Sequence, residues 1–184
     1  MASHTVTLIP GDGIGPETTA AMRRVVEASG ADIAWEVAEA GAHLMEEHGT
    51  PLPASTVEAV KRNKVAIKGP ITTPVGTGFR SVNVALRKAL DLYVCLRPVL
   101  SIPGGRYDGV DLVIVRENSE DLYAGVEFEA GSAAARKLIA LCEEEGAGTI
   151  RPDSGISIKP ISAAASERIV RYAFDYAENH GRAR

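Results

Sequence analysis

The residues best suited to chemistry lie between positions 76 and 99, in the stretch GTGFRSVNVALRKALDLYVCLRPV. Three arginines, one serine and one asparagine interrupt an otherwise apolar pattern there. The formal net charge of the chain is −4, so this local excess of cations has two explanations. The arginines are either separate solvated charges or parts of a site for a small molecule that carries several negative charges.

The spacing of the polar residues favours the binding site. A helix is predicted over residues 82–91, because apolar residues recur on one face at helical spacing: Val82, Ala85, Leu86, Ala89 and Leu90. Asn83 and Arg87 are i,i+4 neighbours on another face, and Ser81 takes the N-cap position. The free N–H groups of a helix N-terminus already favour anions, so a hydroxyl, an amide and a guanidinium would converge on an anion site.

Two arginines, one of them outside this stretch, stand at predicted strand ends. Arg97 follows the extended run LYVCL, where Pro98 is expected to stop strand pairing, and Arg116 follows the strand Val110–Val115. Ligands of open α/β sheets collect at the carboxyl ends of strands. We therefore expect Arg87, Arg97 and Arg116 to share one pocket, the alternative being three unrelated surface arginines.

The elements before Pro98 alternate between strands and helices. Strands are predicted at Thr5–Ile9, in DIAWEVAEAG and in KVAIKGP, with a helix opened by Pro16 and Glu17 and another capped by Ser55. This order predicts an α/β fold with a parallel sheet and crossover helices.

The alternation weakens after Leu100, where a second α+β portion is expected. LYAGVEFEAG is typical of a hairpin or an arm, ISIKPIS is extended, and AARKLIALCEEEG is helical. A last helix is capped by Ser162 and closed by Gly181, with an apolar stripe of Ala165, Ile169, Ala173, Phe174 and Ala177. The predicted domains are residues 1–99, as the first part of a large α/β domain, and residues 100–184, as an incomplete small domain.

The glycine loop GDGIG at residues 11–15 follows a strand and precedes a helix. It partly matches a dinucleotide-binding fingerprint, but Pro16 follows it and the third glycine is not at the usual spacing. A tight strand-to-helix turn is the favoured interpretation.

Composition excludes several classes of protein. With 45% hydrophobic and 24% charged residues, a pI of 5.6 and scattered charges, the 184-residue chain has the profile of a globular protein without a nucleic-acid or membrane surface. Cys95 and Cys142 share no motif, and the N-terminus has no features of a targeting sequence, so a cytoplasmic location is expected.

Four segments together resemble the isocitrate/isopropylmalate dehydrogenase family of β-decarboxylating dehydrogenases. They are IPGDGIGPE, KGPITTPVGTGFRSVNVALRKALDLYVCLRPV, VIVRENSEDLYAGVE and ISIKPISAAASERIVRYAFDYAENHGR. The resemblance runs from about Val6 to Arg182, and RSVNVALR is similar to the isocitrate branch. It implies the family's parallel-sheet fold with a second α+β portion, truncated at the C-terminus, and a dimerisation role for the small domain.

The resemblance also implies roles for individual residues. Ser81 and Asn83 would meet the extra carboxylate of isocitrate, and Arg87, Arg97 and Arg116 would be the substrate arginines. Tyr123 would be the catalytic general acid, and Thr72 and Thr73 would lie along the nicotinamide end of the cofactor. Some bacterial relatives are regulated by phosphorylation of the serine that Ser81 matches, so Ser81 is a candidate switch.

The implied reaction is the oxidative decarboxylation of isocitrate to 2-oxoglutarate, a step of the tricarboxylic acid cycle. NAD is preferred here over NADP as cofactor, with Mg²⁺ or Mn²⁺ as metal. Family members are about twice this length, and their metal-binding aspartates and assisting lysine match nothing in this chain. The 184-residue chain alone is therefore expected to be inactive, working in a homo-oligomer or with a complementing C-terminal half. The alternative is a non-catalytic relative that binds a tricarboxylate or a full-length subunit.

Overall fold

A computed structural model describes residues 4–72 and 81–182 of the chain. The chain divides into two compact units, Met1–Asp91 and Leu92–Arg184. Thr73, one of the two threonines expected beside the cofactor, lies outside the described residues.

The first unit contains a parallel sheet of three strands, β1 (His4–Ile9), β2 (Ile33–Val37) and β3 (Ala66–Lys68). Their order is β2-β1-β3, with Val6 opposite Trp35 and Thr7 opposite Ala66. Strand β1 is central, and its last four residues, Val6, Thr7, Leu8 and Ile9, are buried. The predicted parallel α/β arrangement is confirmed.

In the described part of this unit, four helices accompany the sheet, and a short 3₁₀ turn at Ala42–Leu44 precedes the second of them. The helices are α1 (Gly15–Ala28), α2 (Met45–His48), α3 (Ala54–Asn63) and α4 (Val82–Ala89). The core of the unit joins β1, α3 and α4 through Ile9, Val60, Val82 and Leu86. Because Val82 and Leu86 anchor α4 in this core, the helix holds its other faces in a fixed orientation.

The predicted start of α3 at Ser55 is wrong. The helix begins at Ala54 with Pro53 in the N-cap position, and no side chain caps it. The backbone of Pro53 is already extended (φ −60°, ψ 146°), and its carbonyl oxygen accepts from the N–H of Thr56 at 3.1 Å. Proline thus sets the helix start one residue before the serine that the capping rule selects.

The GDGIG segment is a tight turn, as the favoured interpretation predicts. Gly11 has φ +78°, and the N–H of Asp12 donates to the carbonyl oxygen of Pro70 at 3.1 Å. A Cβ at Gly11 would lie 2.8 Å from the carbonyl carbon of Pro70 and would overlap its oxygen. The glycine allows two backbone segments to touch, which explains the motif without a bound nucleotide.

Residues 92–182 of the second unit form two antiparallel strand pairs and two helices. Strand β4 (Val94–Leu100) pairs with β5 (Asp111–Glu117), and β6 (Val126–Phe128) pairs with β7 (Ile156–Ile158). The helices are α5 (Ala133–Glu144) and α6 (Ala163–Asn179), and a 3₁₀ turn spans Asp121–Ala124. The predicted cap of α6 is confirmed, because the Ser162 hydroxyl accepts from the N–H of Ala165 at 3.1 Å.

Strand β4 corrects one expectation about Pro98. The strand does not stop there but continues to Leu100, with Pro98 opposite Val113. Both strands of a two-stranded sheet are edges, and an edge strand tolerates proline where its missing N–H would face away from the partner. The large-domain and dimerisation roles predicted for residues 1–99 and 100–184 stay predictions, while β4 itself belongs to the second compact unit.

Four residues of the apolar stripe predicted on α6 are half-buried, namely Ala165, Ile169, Ala173 and Ala177. The fifth, Phe174, is 73% exposed. Among residues 4–72 and 81–182, no helix combines the length and hydropathy that a bilayer crossing requires.

Candidate active site

The N-terminus of α4 carries the first group of candidate residues. Ser81 occupies the N-cap, but its hydroxyl makes no capping hydrogen bond, and its carbonyl oxygen accepts from Val84 and Ala85 at 3.0 Å. The Nε–H of Arg87 donates to the backbone carbonyl of Asn83 at 3.2 Å, which ties the arginine to the preceding turn. The predicted adjacency of Asn83 and Arg87 is present in the structure.

Asn83 holds an unusual polar atom. Its side-chain oxygen Oδ1 is buried and has no hydrogen-bond partner among residues 4–72 and 81–182. An unpaired buried acceptor costs free energy, typically about 1–3 kcal/mol. Rotation of the amide would replace this oxygen with an NH₂ group, which can donate to an anion.

Thr72 is held by a residue of the glycine turn. Its backbone N–H donates to Oδ1 of Asp12 at 2.6 Å. Partial burial would raise the pKa of Asp12, but the hydrogen bonds from Thr72 and Ala42 and the nearby His43 together hold that pKa below its ordinary value. Asp12 is therefore an ionised anchor for the segment after β3.

Lys68, the last residue of β3, is a candidate functional residue that the sequence did not lead us to name. Its ammonium donates to the carbonyl oxygen of Gly69. Burial lowers the pKa of Lys68, and the negative charge of Asp12 opposes that shift. The signal available in the sequence was its position, since it is a lysine at the carboxyl end of a parallel strand.

The second group lies on one face of the β4–β5 pair. Cys95 is directly opposite Arg116, and Arg97 lies two residues further along β4, opposite Ile114. Since the side-chain period of a strand is two, Cys95, Arg97 and Arg116 project from the same face, with the arginines as diagonal neighbours. The Nε–H of Arg97 is 3.2 Å from Sγ of Cys95. Two of the three predicted substrate arginines are thus brought together within one unit.

Arg116 also contacts the predicted general acid. Its Nη1 donates to the phenol oxygen of Tyr123 at 3.1 Å, and its Cζ lies 5.0 Å from the centre of the tyrosine ring. Its Nη2 donates to Oδ1 of Asn118 at 2.8 Å, and Asn118, which is 6% exposed, donates in turn to the carbonyl of Leu92. A buried amide therefore fixes the guanidinium that touches the tyrosine.

Sequence reasoning also missed Asn118. It lies two residues after Arg116 in the segment RENSED, and this spacing was the available signal.

Glu117 organises the turn between Arg116 and Tyr123. Its carboxylate accepts from the N–H groups of Ser119 at 2.8 Å and Glu120 at 2.9 Å, and also from the Ser119 hydroxyl. Burial raises the pKa of Glu117, yet these hydrogen bonds outweigh it and hold the pKa below its ordinary value. Beyond this turn, Arg116 and Tyr123 line a cleft of about 560 Å³ with Ile169 and Val170 of α6.

A family model described as isocitrate/isopropylmalate dehydrogenase matches residues 5–184. The chain belongs to this family. The resemblance read from the four sequence segments is thereby confirmed, as is the fold class that it implied.

Three relatives illustrate the extent of the match. The chain is 45% identical to the isocitrate dehydrogenase [NADP] of Staphylococcus epidermidis over 192 residues, covering 96% of this chain and 46% of that protein. It is 45% identical to the enzyme of the same name from Archaeoglobus fulgidus over 181 residues, covering 94% and 44%. The crystal structure of isocitrate dehydrogenase from Methylococcus capsulatus superposes with a TM-score of 0.78 at 44% identity, covering 97% of this chain and 49% of that one. The chain thus spans about half the length of the curated relatives it matches.

The described residues of this family member do not supply a metal site. Within 4–72 and 81–182, no group of three His, Cys, Asp or Glu side chains is arranged to hold a metal ion. Arg87 belongs to the first unit, and Arg97 and Arg116 belong to the second. The convergence of all three arginines on one pocket therefore stays a prediction.

Proposed function

We propose that this chain carries the substrate-orienting residues of an isocitrate dehydrogenase that oxidises and decarboxylates isocitrate to 2-oxoglutarate. The observation that carries the proposal is the 3.1 Å hydrogen bond from Arg116 to the phenol of Tyr123. In the family resemblance these are a substrate arginine and the general acid. Their contact gives one guanidinium two tasks, which are to meet a carboxylate and to orient the tyrosine.

The arginines and the α4 N-terminus would orient the substrate. Arg97 and Arg116 share a face, so they suit neighbouring oxygens of a substrate with several carboxylates. Ser81, with a hydroxyl that is not used for capping, and Asn83 would meet the extra carboxylate, beside Arg87. Holding the substrate in one geometry lowers the entropic part of the barrier.

Tyr123 would supply the proton. After oxidation and loss of the β-carboxylate as CO₂, the remaining enolate carbon takes a proton, and the Tyr123 hydroxyl is the proposed donor. The hydrogen bond from Arg116 fixes the phenol oxygen in place.

The hydride acceptor is a nicotinamide cofactor, with Thr72 and Thr73 along its nicotinamide end. The hydrogen bond from Thr72 to Asp12 supports a fixed position for that segment. The preference for NAD stated from the sequence has no support among the relatives named above, which are named for NADP. The proposal is therefore a nicotinamide dinucleotide, and parallel assays with NAD and NADP decide between them.

The test is formation of the reduced cofactor from isocitrate by the full-length protein that contains this chain, with Mg²⁺ or Mn²⁺ added. Activity that falls strongly in Arg97→Ala but persists in Arg171→Ala, an exposed arginine paired with Glu167, supports the proposal. The 184-residue chain is assayed beside it, alone and mixed with a complementing C-terminal half. Isocitrate binding without turnover by the full-length protein would contradict it and favour a non-catalytic tricarboxylate-binding relative.

A further inference from the structure

We infer that Glu120 and Ser162 form a positioning pair that holds Tyr123 in place for catalysis. The inference rests on the proposed function, because the role of Tyr123 does. It assigns a task to two residues that lie 42 positions apart in the sequence.

The contact between them is two-pronged. Oε2 of Glu120 accepts from the backbone N–H of Ser162 at 2.7 Å, and Oε1 accepts from the Ser162 hydroxyl at 2.6 Å. The same hydroxyl accepts from the N–H of Ala165, so its one hydrogen and one of its lone pairs are both used. Hydrogen bonds to an ionised group are about twice as strong as neutral ones. The two hydrogen bonds therefore connect the turn at Glu120 firmly to the N-terminus of α6.

Neighbouring contacts add to the connection made by Glu120 and Ser162. The N–H of Asp121 donates to the carbonyl of Pro160 at 3.1 Å, and Lys159 Nζ lies 3.2 Å from a carboxylate oxygen of Asp121. Asp121 itself has φ +58°, a left-handed conformation that costs a non-glycine residue free energy. The surrounding contacts therefore have to hold the backbone in this shape.

The shape matters because Tyr123 follows two residues later, in the 3₁₀ turn Asp121–Ala124. Arg116 fixes the phenol from the strand side, and the Glu120–Ser162 pair fixes the backbone of the turn from the α6 side. Without the pair, the turn would lose its anchor to α6 while Arg116 remained in place. We expect Tyr123 to move more than the substrate arginines do.

The chain offers a matched control for the serine. Ser162 is followed by three alanines and caps α6, and Ser132 is followed by three alanines and caps α5 with the same 3.1 Å hydrogen bond. Ser132→Ala thus removes an equivalent helix cap without touching Glu120. Ser162→Thr keeps the hydroxyl and serves as the conservative variant.

The experiment uses the full-length protein, with two readouts. The first is steady-state kinetics of isocitrate oxidation. In Glu120→Ala and Ser162→Ala we expect kcat to fall about 10- to 100-fold, the range for a misplaced catalytic group. The isocitrate KM should change less than about 3-fold, as for an interaction made only in the transition state. Ser132→Ala and Ser162→Thr should stay near the unmutated kcat.

The second readout does not depend on activity. Tyrosine is replaced by 3-fluorotyrosine, and the fluorine resonance of Tyr123 is assigned with Tyr123→Phe. It should shift or broaden in Glu120→Ala and Ser162→Ala but not in Ser132→Ala. Glu120→Gln, which keeps the side-chain shape and one acceptor oxygen, gives a milder form of the same change if the alanine variants do not fold.

The outcomes distinguish the positioning role of Glu120 and Ser162 from the proposed function. An unmoved Tyr123 resonance in the Glu120 and Ser162 variants overturns the positioning role whatever the kinetics, as does an equal loss of kcat in Ser132→Ala. If the unmutated protein does not oxidise isocitrate, the proposed function fails, and the fluorine resonance alone still decides whether the pair positions the tyrosine.

Discussion

Substituting Gly11 with alanine tests how tightly the glycine turn is packed against the segment that leads to Thr72. The control is Gly30→Ala, because Gly30 has the same φ of +78° but, apart from its chain neighbours, no atom in the described part of the chain lies within 4 Å of where a Cβ would be. Both variants place alanine in a left-handed conformation, which destabilises the folded state by roughly 1–2 kcal/mol. The difference between them isolates the crowding at Pro70.

The structure sets the size of that difference. A Cβ at Gly11 would lie 2.8 Å from the Pro70 carbonyl carbon, whereas ordinary contact begins at 3.4 Å, so the backbone must separate. Overpacking costs about 1–3 kcal/mol, and weakening the hydrogen bond from Asp12 to Pro70 adds about 1 kcal/mol. Gly11→Ala should therefore be about 2–4 kcal/mol less stable than Gly30→Ala.

Thermal unfolding followed by circular dichroism measures this. At about 2–4 °C per kcal/mol for domains of 150–250 residues, Gly11→Ala should melt about 5–15 °C below Gly30→Ala. Equal melting temperatures for the two variants would refute the argument, because they would mean that the turn can open without cost.

Three further predictions concern the candidate site. Arg116→Lys removes one of the two hydrogen bonds to Tyr123 and Asn118, each worth about 1.5–3 kcal/mol, so kcat/KM should fall roughly 10- to 150-fold; an effect no larger than that of Arg171→Lys would contradict this. Ser81→Asp should raise the isocitrate KM strongly and leave the circular dichroism spectrum unchanged, because it places a negative charge at the proposed anion site; a normal KM would show that Ser81 does not face the substrate. Asp12→Asn should lower the melting temperature near pH 7, because the stabilisation by Asp12 exists only while its carboxylate is ionised. The gap in melting temperature between the variant and the unmutated protein should shrink as the pH falls below the unfolded pKa of about 3.9 towards the lower pKa of the folded state. A difference that is independent of pH would exclude a contribution from its charge.

The sequence predicted the parts of the fold that depend on local pattern. The buried run that became β1, the alternation that became β2 and the serine cap of α6 follow from periodicity and capping, and all are present. The helix start predicted at Ser55 and the strand end predicted at Pro98 were wrong, because general rules about caps and prolines do not consider the neighbouring residues and strands. Pro53 could start the helix earlier, and an edge strand could accommodate Pro98.

Part of the candidate site was also predictable from the sequence. Residue type and spacing located Ser81, Asn83 and Arg87 on one helix, and resemblance added Tyr123. Glu120 was missed because its importance depends on a tertiary contact, which neither spacing nor charge encodes, and the two-residue spacing of Asn118 from Arg116 was a signal that was not used. Lys68 was missed for a related reason, since the burial that lowers its pKa is a property of the folded unit.

The shared face of Arg97 and Arg116 limits how this segment can change during evolution. Because side chains alternate along a strand, one residue inserted or deleted between Cys95 and Arg97 would turn Arg97 to the opposite face. The connection between β4 and β5 has no such constraint, since its ends are joined by the N–H of Ser101 and the carbonyl of Val110, and the residues between them are mostly exposed. Across the family, length variation should therefore accumulate in residues 102–109 and be absent from the strands on either side.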